Sequence, residues 1–339
     1  MQMILSSIVV LGFLILIHEL GHFFAARLSG MKVLELAMGF GPKIIGWEKK
    51  GTKFSIRVFP LGGFCNILGL NPEEAKDPDG FAQKSPLKRA VVLASGSLMN
   101  LLLALILFFL IFFAFLGVAD NESTVLGYIL EDFPAEQAGL LAGDKLLAID
   151  GEAVSNWDDI IAGISAKPND EVTLSISRNG ELRDISVVTK LVPETERAMI
   201  GIGQSRKKFS FFPSLQAGAA EFGGVIRSLS HVVTGKAPLD VAGPVGIFIV
   251  IGEVAQTGLI NLIFLTAIIS MSLGIMNLLP IPALDGGRLL FLLVETVRGK
   301  KIDPEKEGLI HFIGFAILIL LVLFVTYYDL IRWNILPSN

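Results

Sequence analysis

The chain has one cysteine, Cys65, among 339 residues, so no disulfide can close within it and the redox compartment cannot be read. Charge is scarce as well. Only 18% of residues are charged, against about 25% in soluble domains. That argues against an ordinary soluble enzyme. Net charge is −4 and there is no basic tract, so no nucleic-acid partner is expected. The first apolar block lacks a basic leading segment and a small-residue cleavage site, which argues against a secretory signal peptide. There are no internal repeats and no low-complexity stretches.

What the chain has in quantity is hydrophobicity, at 52% of residues. It falls into four blocks, 3–17, 90–119, 257–284 and 309–328. The second and third carry no charge and exceed the roughly 20 residues that cross a bilayer. The first crosses only if its helix continues to about residue 26. The expected fold class is a multi-pass α-helical membrane protein with four transmembrane helices. Residues 27–89 hold 11 Lys/Arg against 6 Asp/Glu. By the positive-inside rule they face the cytoplasm, and both termini and residues 120–256 then face outward.

Residues 120–190 read as a small α+β domain. Strands are expected at 125–130, 143–151, 172–177 and 182–188, with helices at 134–140 and 156–166. Asn156 is placed as a helix cap, and Asn179-Gly180 signals a hairpin. Residues 191–256 read as a connecting segment, with 211–233 an amphipathic helix along the membrane surface. His231 there reads as an ordinary surface histidine.

The chemistry is concentrated at His18-Glu19-Leu20-Gly21-His22. On a helix, positions i and i+4 share a face, so two imidazoles can bind one zinc ion while the intervening Glu reaches its water. The chain has only four histidines, and ionisable groups at membrane depth are costly and usually functional. At about 1.5 Å per residue, His18 lies roughly 23 Å into its span. A catalytic zinc usually takes a third protein ligand. The third block also runs outside to inside, and breaks at Asn277-Leu278-Leu279-Pro280-Ile281-Pro282 before Asp285. Asp285 therefore ends at the depth of His18. His311, which opens the fourth block, is the rival; Asp285 is favoured because irregular backbone at membrane depth usually lines a cavity.

With these residues in place, the chain resembles the site-2 protease family of intramembrane zinc metalloproteases, in the bacterial group that includes the regulator of sigma-E protease. The resemblance runs over nearly the whole length, through HELGH at 18–22 and NLLPIPALDGG at 277–287. The run PAEQAGLLAGDKLLAIDGEAV resembles a PDZ domain, inserted between the second and third spans.

The resemblance implies one zinc ion on His18, His22 and Asp285, with Glu19 catalytic. It implies that Asn277, Pro280 and Pro282 hold substrate. It also implies a membrane-associated β-hairpin at about 40–68, ending at Gly62-Gly63-Phe64. Cys65-Asn66 departs from the family pattern, which touches fine substrate contacts and leaves the chemistry intact; Ser97 stands where the family often has Pro, while Gly96 and Asn100 remain, which implies close packing and hydrogen bonding against the catalytic core.

The implied activity is regulated intramembrane proteolysis at the bacterial plasma membrane, with the active site near its cytoplasmic side. The implied partners are lipid and a single-span membrane protein, such as an anti-sigma factor or signal-peptide remnant, trimmed first by another protease. A peptide C-terminus is implied at the PDZ domain. The organisation expected is thus 1–119 and 257–339 as the two halves of the protease core, 120–190 as the PDZ domain, and 191–256 as the connection. A catalytically silent scaffold and a metal transporter are the competing classes.

Overall fold

A computed structural model of the chain describes residues 2–70, 77–192, 197–236, 243–300 and 302–333. In chain order these form α1 (Gln2–Leu28), β1 (Val33–Lys49), β2 (Thr52–Ile67), α2 (Pro86–Leu110), β3 (Val118–Ala119), β4 (Leu126–Ile129), α3 (Pro134–Gln137), β5 (Lys145–Ile149), β6 (Glu152–Ala153) and α4 (Trp157–Ser165). There follow β7 (Glu171–Arg178), β8 (Glu181–Val188), β9 (Lys190–Val192), β10 (Arg197–Met199), β11 (Ile202–Gln204), β12 (Arg206–Lys207), α5 (Phe211–Val233), α6 (Pro244–Thr257), α7 (Leu259–Leu278), α8 (Asp285–Arg298) and α9 (Pro304–Arg332). They divide into two compact units, residues 1–108 with 218–339, and residues 109–217.

Among the described residues, four helical stretches are long and apolar enough to cross a membrane: Met3–Leu28, Pro86–Leu116, Leu259–Leu278 and Glu305–Arg332. Their apolar surface is not spent on protein packing. In the last of them, only 6% of the most apolar window is buried, and Phe312, Phe315, Leu320 and Phe324 all stand exposed. An exposed apolar surface of that extent requires lipid. The chain is a membrane protein.

In the first unit small residues set how closely the helices approach. A Cβ on Gly21 of α1 would collide with the Ser95 carbonyl of α2. The helix α6, at 14 residues too short to span, packs along α1, where Ser7 Oγ donates to the Phe248 carbonyl at 2.8 Å. The buried Asp329 carboxylate of α9 caps α6 by accepting the Gly243 and Gly246 N–H groups at 3.1 and 2.7 Å. Ala25, Ala26, Val33, Ile67, Val92 and Leu93 form an apolar cluster where α1, α2 and the sheet meet.

The strands β1 and β2 form more than a simple hairpin. Each bends, so Leu36 pairs with Cys65 on one side and with Phe54 on the other. The result is four segments in the order 43–49, 52–57, 33–38, 63–67. The connecting turn is at Lys50-Gly51, both with positive φ (52° and 72°), as two-residue hairpin turns favour. The hairpin therefore starts at Val33, before the expected 40, and Gly62-Gly63-Phe64 lie within a strand instead of at its end. Those glycines resemble a turn signal, but at Gly63 the requirement is space: a Cβ there would sit 2.9 Å from the Ala37 carbonyl and 3.3 Å from Glu19 Cγ.

The second unit carries a four-stranded antiparallel sheet, β6-β5-β7-β8. Its core joins Leu126, Leu146, Ile160, Leu174, Ile176 and Ile200. Asn156 and Asp159 make a reciprocal capping box at the start of α4, and Asn179-Gly180 turns β7 into β8, both as expected. The segment after 190 departs from expectation. The strands β10, β11 and β12 belong to this unit, with β11 pairing β4, and the unit reaches residue 217. These strands are two or three residues long, too short to show an alternating pattern. Residues 193–196 and 237–242 of the expected connecting segment lie outside the described residues.

Candidate active site

The helix α1 places His18 and His22 one turn apart, with imidazole centroids 4.9 Å from each other. The third donor arrives 263 residues after His22. The helix α7 ends at Leu278, the chain runs irregularly over 279–284, and α8 opens at Asp285. Asp285 Oδ2 stands 3.2 Å from His18 Nε2 and 3.2 Å from His22 Nε2, and the two Nε2 atoms are 3.2 Å apart. The positive end of the α8 dipole favours a carboxylate at that position.

With His22 neutral, hydrogen bonds alone do not satisfy this triangle. His22 Nδ1 lies 2.8 Å from the Val92 carbonyl, which only accepts, so Nδ1 carries the proton. In the neutral ring, His22 Nε2 then turns a lone pair toward a carboxylate oxygen. A cation between these two acceptors would satisfy both. The spacing also suits zinc: donors about 2.0–2.1 Å from a tetrahedral centre stand about 3.3 Å apart. Gly96 of α2 leaves the space beside these donors open: a Cβ there would collide with His22 Nε2 and lie 2.8 Å from His18 Nε2. Among the described residues, His18, His22 and Asp285 are the group of His, Cys, Asp and Glu side chains that can hold a metal ion.

Glu19 and the three donors line one cavity of about 370 Å³. Gly63, Phe64 and Cys65 of β2 form another wall, with Ala283, Leu284, Arg288 and His311. The 63–67 segment is an edge, bonded to 33–38 and, among the described residues, to no strand on its other side. Glu19 lies beside the Cys65 backbone.

Several expected substrate residues stand elsewhere. Asn277 ends α7, Pro280 and Pro282 lie in the irregular stretch, and Gly62 lies deeper in β2; none of them lines the cavity. Pro282 packs instead on α9, where a Cβ at Gly314 would collide with it. His311 is outside the donor triangle, and its Nδ1 accepts the Ala283 N–H at 2.8 Å. Arg288 was not foreseen, although its place three residues after Asp285 puts both on one helical face.

In the second unit, a groove of about 520 Å³ runs between α4 and the segment 197–202, lined by Trp157, Ile160, Ile164, Met199, Ile200 and Ile202.

Comparison with known proteins bears on this geometry. Peptidase family M50 matches residues 6–321. A Clostridium acetobutylicum protein that carries zinc metalloprotease as a provisional name is 38% identical, over 97% of each chain. The zinc metalloprotease RasP of Geobacillus kaustophilus is 34% identical, over 97% of this chain and 98% of its own. The regulator of sigma-W protease RasP of Bacillus subtilis is 31% identical, again over 97% and 98%. A solved PDZ domain of an SdrC-like protein from Listeria innocua aligns with 26% of this chain at 25% identity, but its TM-score of 0.23 is too low to assign a fold. With the family matched from residue 6 to residue 321, the chain belongs to peptidase family M50, the site-2 proteases, and is a zinc metalloprotease of that type.

Proposed function

We propose that His18, His22 and Asp285 hold one zinc ion, that Glu19 is the general base, and that the protein hydrolyses a peptide bond within or near the transmembrane segment of a single-span membrane protein. The observation that carries this reading is the 3.2 Å triangle of donors beside Glu19 in one cavity. By the charge bias of 27–89, the cavity lies toward the cytoplasmic face of a bacterial plasma membrane and residues 109–217 lie outside.

A transmembrane helix hides its carbonyls in internal hydrogen bonds, so the substrate must unwind before it is cut. The open edge at 63–67 supports binding by strand addition, which draws an extended segment past Glu19. Zinc at the triangle supplies Lewis acidity, acidifying water and polarising a carbonyl. Glu19 takes a proton from the attacking water and delivers it to the leaving amine, closing the proton balance. The unit at 109–217 is a PDZ domain in this reading, and its apolar groove binds the C-terminus of a substrate already trimmed by another protease.

The test is cleavage of a single-span test substrate, full-length and pre-trimmed, by the wild type and by Glu19→Gln, with bound zinc counted in both. Glu19→Gln should lose cleavage by at least about 10²-fold with zinc retained, and the wild type should prefer the trimmed form. Cleavage that survives in Glu19→Gln removes Glu19 from the mechanism; equal cutting of both substrates removes the trimming step.

A further inference from the structure

We propose that His311 is a positioning residue for the metal site: by accepting the Ala283 N–H, it fixes the backbone that aims the Asp285 carboxylate at His18 and His22. The proposal rests on the reading of Asp285 as third donor.

The observations converge on residues 282–285. Ala283 has a φ of +78°, in the left-handed region that a residue with a Cβ seldom adopts. Such a conformation persists only where its surroundings hold it. Two contacts from α9 do so. His311 Nδ1 takes the Ala283 N–H at 2.8 Å, and Pro282 is seated against Gly314, where the lack of a side chain leaves room for it. His311 and Gly314 are three residues apart and so share one face of α9. The ring of Phe291 on α8 lies 5.4 Å from the imidazole and limits its rotation. On the other side of the strained residue, Gly286 and Gly287 let the carbonyls of 278, 279 and 281 approach closely. The turn into α8 is thereby determined from both ends.

The bond also decides the chemistry of the ring. A backbone N–H only donates, so Nδ1 bears a lone pair and the ring proton is on Nε2. Nε2 is buried without a hydrogen-bond partner among the described residues, 3.9 Å from Glu307 Oε1. His311 lines the same cavity as the donors yet stands outside their triangle. It acts on the metal through two residues of backbone. Without it, Ala283 relaxes toward negative φ, the following peptide rotates, and the Asp285 carboxylate leaves the 3.2 Å position.

The experiment uses the full chain in detergent, with zinc affinity read by competition with a chelator and geometry read from the visible absorption of the cobalt(II)-substituted protein. His311→Phe keeps an aromatic ring against Phe291 and removes the acceptor. It should weaken zinc retention at least about tenfold and shift the cobalt bands. Adding Ala283→Gly should restore most of both, because glycine holds a φ of +78° unaided. His311→Asn, too short to reach the Ala283 N–H, carries the same test if the Phe variant does not fold. Unchanged affinity and spectrum in these variants overturn the proposal. So does a loss that Ala283→Gly fails to rescue, since His311 would then act by packing alone. Asp285→Asn separates the two readings. If it leaves zinc and cobalt undisturbed, the third-donor assignment fails; if it alone disturbs them, only the role of His311 fails.

Discussion

Gly96 carries as much of the site's geometry as the donors do. It sits on α2, opposite the two imidazoles of α1, and the missing Cβ is the space in which they converge. Gly96→Ala should push His22 off its line to Asp285 and weaken zinc retention by about tenfold or more, an effect of roughly 1.4 kcal/mol. Chelator competition on the full chain checks it, and unchanged retention would show that α2 yields. The convergence of His18, His22 and Asp285 was legible in the sequence, because HELGH and the LDG run fix both residue type and helical spacing. The role of Gly96 was legible only as close packing. Nothing local in Gly96-Ser97 says which imidazole it faces; that depends on the register of α2 against α1. His311, weighed in the sequence as the lesser rival to Asp285, shows the reverse case. A histidine near the site suggested a rival ligand, whereas its Nδ1 is taken up by a backbone N–H contributed by a loop 28 residues away in sequence.

At the scale of single elements, the strand addition proposed above rests on the edge of the sheet. The side of segment 63–67 away from 33–38 faces the cavity, and alternate N–H groups of a strand point to opposite edges. The backbone of Cys65 is on the Glu19 side. Cys65→Pro removes that N–H, which also bonds the Glu19 carboxylate, and should lower cleavage of an unwound substrate while leaving zinc content at one per chain. Full cleavage by this variant would rule against strand addition. Long elements of uniform character were readable: the four apolar helices and α5 fall close to where composition placed them. The bend in β1 and β2 was not, because residues 33–38 are paired on both sides by distant parts of one strand. The helix α6 escaped for want of length, and is held by Ser7 and Asp329 from helices at opposite ends of the chain.

At the scale of the whole molecule, the unit outside the protease core has its own acid limit. Asp144 is buried, and the Arg178 guanidinium, bonded through Nε and Nη2 at 2.7 Å each, holds its carboxyl below the usual carboxylate range. A depressed folded-state pKa contributes stability that is fully present above the unfolded value of about 3.9 and is lost as pH falls through the folded value. The unit should therefore hold at neutral pH and weaken below about pH 4. Arg178→Ala should destabilise the unit at pH 7 and flatten the acid dependence. Trp157 fluorescence in full-length protein lacking Trp47 and Trp333 follows this unit alone, and an undiminished acid slope in the variant would assign it to other groups.

The two donors on α1 and the third on α8 have a consequence in time. A ribosome that has made His22 must add 263 residues before it reaches Asp285. At about 5–20 residues per second, that takes roughly 13–53 s. Throughout this interval the nascent chain carries His18, Glu19 and His22 without the carboxylate that completes the triangle. Any product truncated before Asp285 is left in the same condition. On the ligand set proposed above, the metal site of this hydrolase is incomplete until its own synthesis is nearly finished.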